Sequence, residues 1–226
     1  SSAASDVYKR QVSNLFPNPE LKVCGHHRRA RHQHGEIGGV TIQLRRLAPR
    51  EFSLIAPQLV DIYLTAMDYP RDMFDRRLHG WRVDSLQPGF TAVIAESEAG
   101  PVGVAYGFLG HSDTWWDKQL QRGFALAGGP TAEQIDLLRD YFELAEIHVH
   151  PSMQGKGLGR HLLDALAWNL PASNILLSTP EVPGEANGAF GLYRSAGFFD
   201  VLRNYYYPGD PRPFAILGAR LPLAPR

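Results

Sequence analysis

The sequence predicts an α/β single domain, a mixed and mostly antiparallel sheet flanked by helices. Two observations lead there. Stretches of two-residue alternation interleave with stretches of helical periodicity, in the order strand, two helices, three strands, helix, strand, helix, two strands. Composition supports one packed core: of 226 residues, 44% are hydrophobic and 20% charged, as in folded proteins.

Residues 1–39 stand apart from that pattern. SSAASDVYKRQ has neither periodicity and does not begin with Met, so it reads as a processed end or extraneous flanking sequence. HHRRARHQHGE then crowds His26, His27, His32 and His34 among arginines, close to Cys24. Those residue types suit a metal site or an anion-binding arm, but their spacing matches no zinc-ligand pattern and no apolar pattern would fix them. A disordered, solvated tail is expected, with no metal. Residues 40–226 form the domain.

From Val40 the elements follow in order. VTIQLRRL alternates Val40, Ile42 and Leu44 inward as a strand. PREFSLIAPQLVDIYLTAM spaces Phe52, Ile55, Leu59, Ile62, Tyr63 and Met67 as a helix, with Pro57 blurring its start. RDMFDRRLHGWRVDSL holds a second helix, ended by Pro88-Gly89. FTAVIAES and GPVGVAYGFLG make a hairpin across Glu98-Ala99-Gly100-Pro101. Residues 111–140 read as an insertion with Trp115, Trp116, Phe124 and one short helix, TAEQIDLLRDY. YFELAEIHVH is a strand, GLGRHLLDALAWNL a helix stopped by Pro171, NILLSTP a buried strand and ANGAFGLYRSAGF another helix. FFDVLRNYYYP and PFAILGARL close the domain.

Bulk properties exclude several functions. Lys plus Arg and Asp plus Glu both number 23, so no global field draws nucleic acid or an anionic membrane. Cys24 is the sole cysteine, which removes intrachain disulfides. No run approaches the ~18 apolar residues of a membrane span, and no signal peptide is visible. A cytoplasmic location is expected.

Chemistry concentrates at HVHPSMQGKGLGR, His148 to Arg160. Pro151 stops the strand. Gly155, Gly157 and Gly159 permit tight turning and leave main-chain N–H groups unshielded, where a helix also aims its unsatisfied amides and positive dipole. Lys156 and Arg160 add formal charge. Together these features suit a phosphate cradle for a polyphosphate or pyrophosphate ligand. It is not a Walker loop, which needs GxxxxGK, and the dinucleotide fingerprint would need glycine where Arg160 stands.

Gln154-x-x-Gly157-x-Gly159 resembles the acetyl-CoA signature of the GNAT superfamily of N-acetyltransferases. The element order over residues 40–220 is similar to that family, as are Leu192-Tyr193 with Gly197-Phe198 and the closing segment GFFDVLRNYYYPGDPRPFAIL. The resemblance implies acetyl-CoA as co-substrate, no metal, and an amine-bearing small molecule or peptide as acceptor; a homodimer is compatible with it. It also implies a coenzyme-binding set of His148, Val149, Gln154, Gly155, Lys156, Gly157, Leu158, Gly159, Arg160 and Asn187. Within that set Val149 offers its backbone to the pantetheine arm as another strand would, and Asn187 caps its helix while lying near the same arm.

Transfer to an amine needs a proton acceptor, because a free alkylammonium has a pKa near ~10.4, and a donor for the departing thiolate. Tyr193 is the expected acid by resemblance; the alternative is a core aromatic. Glu143 and Glu146 precede the cradle and are the candidate bases. Three apart, they point to opposite faces of a regular strand, which favours Glu143 alone unless a bulge intervenes. His148 and His150 share the face of Glu146 and read as strand or rim residues. Asp113, Trp115 and Trp116 could wall a pocket for a cationic amine, or merely cover the sheet edge. Cys24 is not needed as a nucleophile. The expected activity is direct attack in a ternary complex; the alternatives are a CoA-binding sensor without chemistry and a structural domain.

Overall fold

The structure, a computed structural model, describes residues 33–225. Cys24, His26, His27 and His32 lie outside them. Eight strands form one sheet in the order β1-β2-β3-β4-β5-β6-β8-β7. They are β1 (Gln33–Ile37), β2 (Val40–Leu47), β3 (Thr91–Ser97), β4 (Gly100–Leu109), β5 (Tyr141–Val149), β6 (Asn174–Pro180), β7 (Phe199–Tyr206) and β8 (Pro213–Arg220). Every neighbouring pair is antiparallel except β5 with β6. The expected mixed, mostly antiparallel sheet is present.

One strand precedes the first one expected at Val40. Gln33–Ile37 is already a strand, turning through Gly38-Gly39 to pair with β2. Its five residues, QHGEI, are too short and too polar for alternation to announce them. The helices are α1 (Pro49–Met67), α2 (Phe74–Asp84), α3 (Trp115–Leu126), α4 (Ala132–Arg139), α5 (Leu158–Ala167) and α6 (Gly188–Ser195). Pro57 lies inside α1 rather than at its start. Its missing N–H deprives the Ser53 carbonyl of a helical partner, and Arg82 Nε of α2 donates to that carbonyl at 3.3 Å. Sequence periodicity missed α3, whose start is fixed by Thr114 Oγ1 accepting the Asp117 N–H at 3.1 Å. The α4 start is a complete capping box, Thr131 with Gln134.

Strand alternation sorts the helices between two faces. Ala92, Ile94, Val104 and Tyr106 pack against Phe52, Leu59, Val60 and Trp81 of α1 and α2. Val93, Ala95 and Ala105 pack on the opposite face with Leu158, Leu162 and Leu166 of α5, continuous with Phe190 and Tyr193 of α6. On the α1 side, α3 and α4 cover the other half of the sheet, where Trp116, Leu120, Phe124 and Leu137 meet Leu176, Val201 and Ile216.

Two irregularities break the sheet at its centre. On β5, Tyr106 pairs with Glu146 and Gly107 with Leu144, so Ala145 is an extra residue. Gly107 is required opposite this bulge, because an added Cβ would stand 2.0 Å from the Glu143 carbonyl oxygen. Beyond it, β5 and β6 part. Their pairing covers only Tyr141↔Asn174, Phe142↔Ile175 and Glu143↔Leu176, although both strands run on past those positions.

Candidate functional site

The glycine turn lies at the end of the diverging strand. Pro151–Met153 forms one 3₁₀ turn, capped by His150, whose Nδ1 lies 3.3 Å from the Ser152 amide and 2.8 Å from Ser152 Oγ. Gly155 and Gly157 then take φ of +71° and +82°, where side chains with a Cβ are strained. Gly157 is the N-cap of α5 and supplies no side-chain cap. Among the described residues no well-formed hydrogen bond engages the amides of Gly155, Lys156, Gly157, Leu158 or Gly159. Gly155, Lys156 and Gly157 are exposed at the positive end of a helix dipole, while Leu158 is buried. Nothing lies within 4 Å of a Cβ built on Gly155 or Gly157. Gly159 has a packing reason as well, since its Cβ would come 3.3 Å from Leu192 of α6.

The charged residues of the motif are placed differently from one another. Lys156 stays beside the turn, its Nζ donating to the Ser152 carbonyl at 2.9 Å. Arg160, expected to add charge to the cradle, is instead tied down structurally. Its guanidinium bonds Asp164 at 2.7 Å, the Ser195 carbonyl at 3.0 Å and the Ala224 carbonyl. Those bonds staple α5 to the end of α6 and to the chain's last residues. Gln154 turns its amide to the Val149 carbonyl at 2.9 Å, and Leu158 sends its side chain into the core. Asn187 caps α6 by accepting the Phe190 N–H at 2.9 Å.

Where β5 leaves β6, main-chain groups lose their strand partner. The His150 amide donates to Val102 of β4 at 2.9 Å, so alternation turns the groups of Val149 and Ile147 toward the vacated side. An extended ligand arm could pair there as a strand does.

Beneath the fork lies a cavity of about 500 Å³, within the range of small-molecule sites. The bulge at Ala145 overturns the expectation that Glu143 and Glu146 face opposite ways: both line this cavity. Glu143 is 5% exposed. Glu146 Oε2 lies 2.7 Å from His148 Nε2, and Glu146 Oε1 lies 4.0 Å from the buried guanidinium of Arg77 on α2. The His148 ring meets Tyr63 edge-on at 4.8 Å and stacks on Trp81 at 6.4 Å, so its side chain belongs to the cavity rather than to the glycine turn. Arg77 also lies over the Tyr63 ring, at 4.8 Å. Tyr106 donates to Asp84 at 2.8 Å in the same buried cluster.

The far wall comes from the insertion. Trp115 and Trp116 line the cavity, and Asp113 does not. Trp116 Nε1 donates to Tyr207 Oη at 2.8 Å, and Tyr207 donates to Ser178 Oγ of β6 at 2.9 Å. Sequence reading missed this chain, whose members lie far apart along the polypeptide. Tyr193 lines the cavity from α6. Burial first, and the Glu146 charge second, push its hydroxyl well above the ordinary tyrosine range, which keeps it protonated at neutral pH. Burial does the same to Tyr207. The β6–α6 loop is anchored by Arg194 and Arg203, which share Glu185 and Asp200 and flank the Phe190 ring. Among the described residues no cluster of three His, Cys, Asp or Glu side chains forms a metal site, and no helix is long and apolar enough to cross a membrane.

Comparison with known proteins adds relatives to this geometry. Residues 88–199 match the family described as acetyltransferase (GNAT) domain. A GCN5-like protein acetyltransferase of Mycobacterium tuberculosis is 37% identical over 206 residues, covering 81% of this chain and 100% of that protein. The ribosomal protein bS18-alanine N-acetyltransferase of Escherichia coli is 38% identical over 87 residues, 38% of this chain and 58% of that enzyme. A GNAT-family crystal structure from Desulfovibrio desulfuricans superposes with TM-score 0.54 at 17% identity, covering 79% of this chain and 98% of that one. A Salmonella typhimurium structure holding acetyl-CoA superposes with TM-score 0.51 at 18% identity, covering 80% and 94%.

Proposed function

Because this chain belongs to the GNAT acetyltransferase family, we propose that it moves an acetyl group from acetyl-CoA to a primary amine by direct attack in a ternary complex. The observation that carries the reading is the exposed turn from Gly155 to Gly157, whose amides no well-formed hydrogen bond engages among the described residues, at the mouth of a fork that leads to a cavity lined by two carboxylates and a protonated tyrosine. The residues present fit the coenzyme. The amides and Lys156 would hold its diphosphate, and the main-chain groups of Ile147 with the Val149 amide its pantetheine arm, the Val149 carbonyl already accepting from Gln154. Asn187, which lines the cavity, would stand beside that arm. Acetyl-CoA supplies the acyl group as a thioester; the rest of the chemistry belongs to the chain.

An ammonium of pKa ~10.4 costs on the order of 4–5 kcal/mol to deprotonate at neutral pH, so the acceptor needs a base. Glu143 is our assignment. Glu146 already serves His148 and Arg77, which suits it to holding the wall and the negative field that draws a cation in. In the transfer the amine nitrogen forms the bond to the acetyl carbon as the carbon–sulfur bond breaks. Glu143 takes one proton from the ammonium to free the attacking amine; Tyr193 gives its proton to the departing thiolate and regains one from the nitrogen as the amide forms, so that the net proton released rests on Glu143. The two curated relatives are named as acting on proteins, which favours a polypeptide amine over a free small molecule. The test is incubation with acetyl-CoA and a panel of peptides and small amines, following free thiol and acetylated product. Transfer to at least one amine is expected; tight CoA binding with no turnover on any would leave a sensor domain in its place.

A further inference from the structure

The chain Trp116–Tyr207–Ser178 has a fixed sense. An indole N–H can only donate, so Tyr207 Oη accepts from Trp116 at 2.8 Å and gives its one proton to Ser178 Oγ at 2.9 Å. The proton of Ser178 must then go elsewhere, and Ser178 lines the cavity. Tyr207 cannot swing to reverse the order. It is 5% exposed, stacked on Trp115 at 5.5 Å and held edge-on by Tyr205 and Phe214, each at 5.0 Å. Burial keeps its own proton in place.

Position gives that donor a purpose. Strands β5 and β6 separate after Glu143↔Leu176, and Ser178 is two residues further on, on the same face as Leu176. It stands on the wall of the fork opposite Glu143 and Glu146, with Tyr193 lining the same space. The two carboxylates can only accept when ionised. Ser178 is a neutral donor on this wall, able to meet an oxygen that becomes negative.

We infer that Ser178 donates a hydrogen bond to the carbonyl oxygen of the bound acetyl group, with Tyr207 and Trp116 as positioning residues that fix the direction of the donated proton. The inference rests on the acetyl-transfer reading. When the amine adds, negative charge gathers on that oxygen. A donor polarised from behind by a second hydroxyl, away from bulk water, then strengthens without reorganising.

The test uses acetyl-CoA labelled with 13C at the acetyl carbonyl, bound to the full chain, with the carbonyl stretch read by difference infrared spectroscopy. In wild type the stretch should lie below its frequency in an apolar solvent. Ser178→Ala should move it upward, Ser178→Thr should restore it, and Tyr207→Phe should move it part of the way. In turnover, Ser178→Ala should lower kcat roughly tenfold to a hundredfold, with KM for acetyl-CoA unchanged. The double variant Ser178→Ala with Tyr207→Phe should be no slower than Ser178→Ala alone. Labelled acetyl-CoA that binds with the same stretch in wild type and Ser178→Ala overturns the inference and leaves the acetyl-transfer reading standing. Failure of wild type to bind acetyl-CoA overturns both.

Discussion

Replacing Gly157 with valine separates a ligand effect from a folding effect at one position. Gly157 has φ +82° and starts α5, so a β-branched residue there costs roughly 1–3 kcal/mol of stability through backbone strain. For a domain of this size that lowers Tm by about 2–12 °C. No clash adds to the cost, because nothing lies within 4 Å of the new Cβ. The side chain instead fills the space in front of the open amides. Loss of one charge-assisted amide bond to a diphosphate is worth about 1.5–3 kcal/mol, so CoA affinity should fall roughly tenfold to a hundredfold or more. Gly129→Val is the control: its φ is +107° with the same empty surroundings, in the α3–α4 loop. Differential scanning calorimetry should show similar Tm losses for both variants, and titration calorimetry a loss of CoA affinity in Gly157→Val alone. Unchanged affinity in Gly157→Val would refute the cradle.

Other consequences follow from the same geometry. Tyr193→Phe and Glu143→Gln should each lower kcat with little change in the Kd for CoA, read by steady-state kinetics and calorimetry; full activity in Tyr193→Phe would return that ring to the core. Arg77→Ala would take the guanidinium away from the half-buried Glu146 carboxylate and should lower stability by about 1–3 kcal/mol in urea unfolding. Arg194 and Arg203 hold the Glu185 carboxyl down at about 2. A depressed acid stabilises the fold above its unfolded value and ceases to as pH falls through its folded value. The Tm advantage of wild type over Glu185→Gln should therefore be full at neutral pH and narrow between pH 4.5 and 2.

How much of this was legible in the sequence depended on distance along the chain. Alternation and helical spacing located the central strands and α1, α5 and α6, and the Gly155–Gly159 turn stands where three alternate glycines announced it. Residues facing across the sheet were less readable. A strict period of two sends Glu143 and Glu146 apart, and only the extra Ala145 brings them together; its trace in the sequence is Gly107, the residue opposite the bulge, which has no Cβ to strike the Glu143 carbonyl. The bonds of Arg160 to Asp164, Ser195 and Ala224 are decided by packing and leave no trace in the motif. The Trp116–Tyr207 bond spans 91 positions, beyond any local pattern. Thr114 before Trp115 was a readable helix start that the apolar spacing of α3 did not support strongly enough.

A crystal structure of the chain with CoA would show whether the amides after Pro151 grip the diphosphate of acetyl-CoA. Diphosphate oxygens should lie about 2.7–3.2 Å from amide nitrogens between Gly155 and Gly159, with the pantetheine arm running between β5 and β6. A diphosphate bound elsewhere on the surface, or those nitrogens bonded to the polypeptide itself, would contradict it.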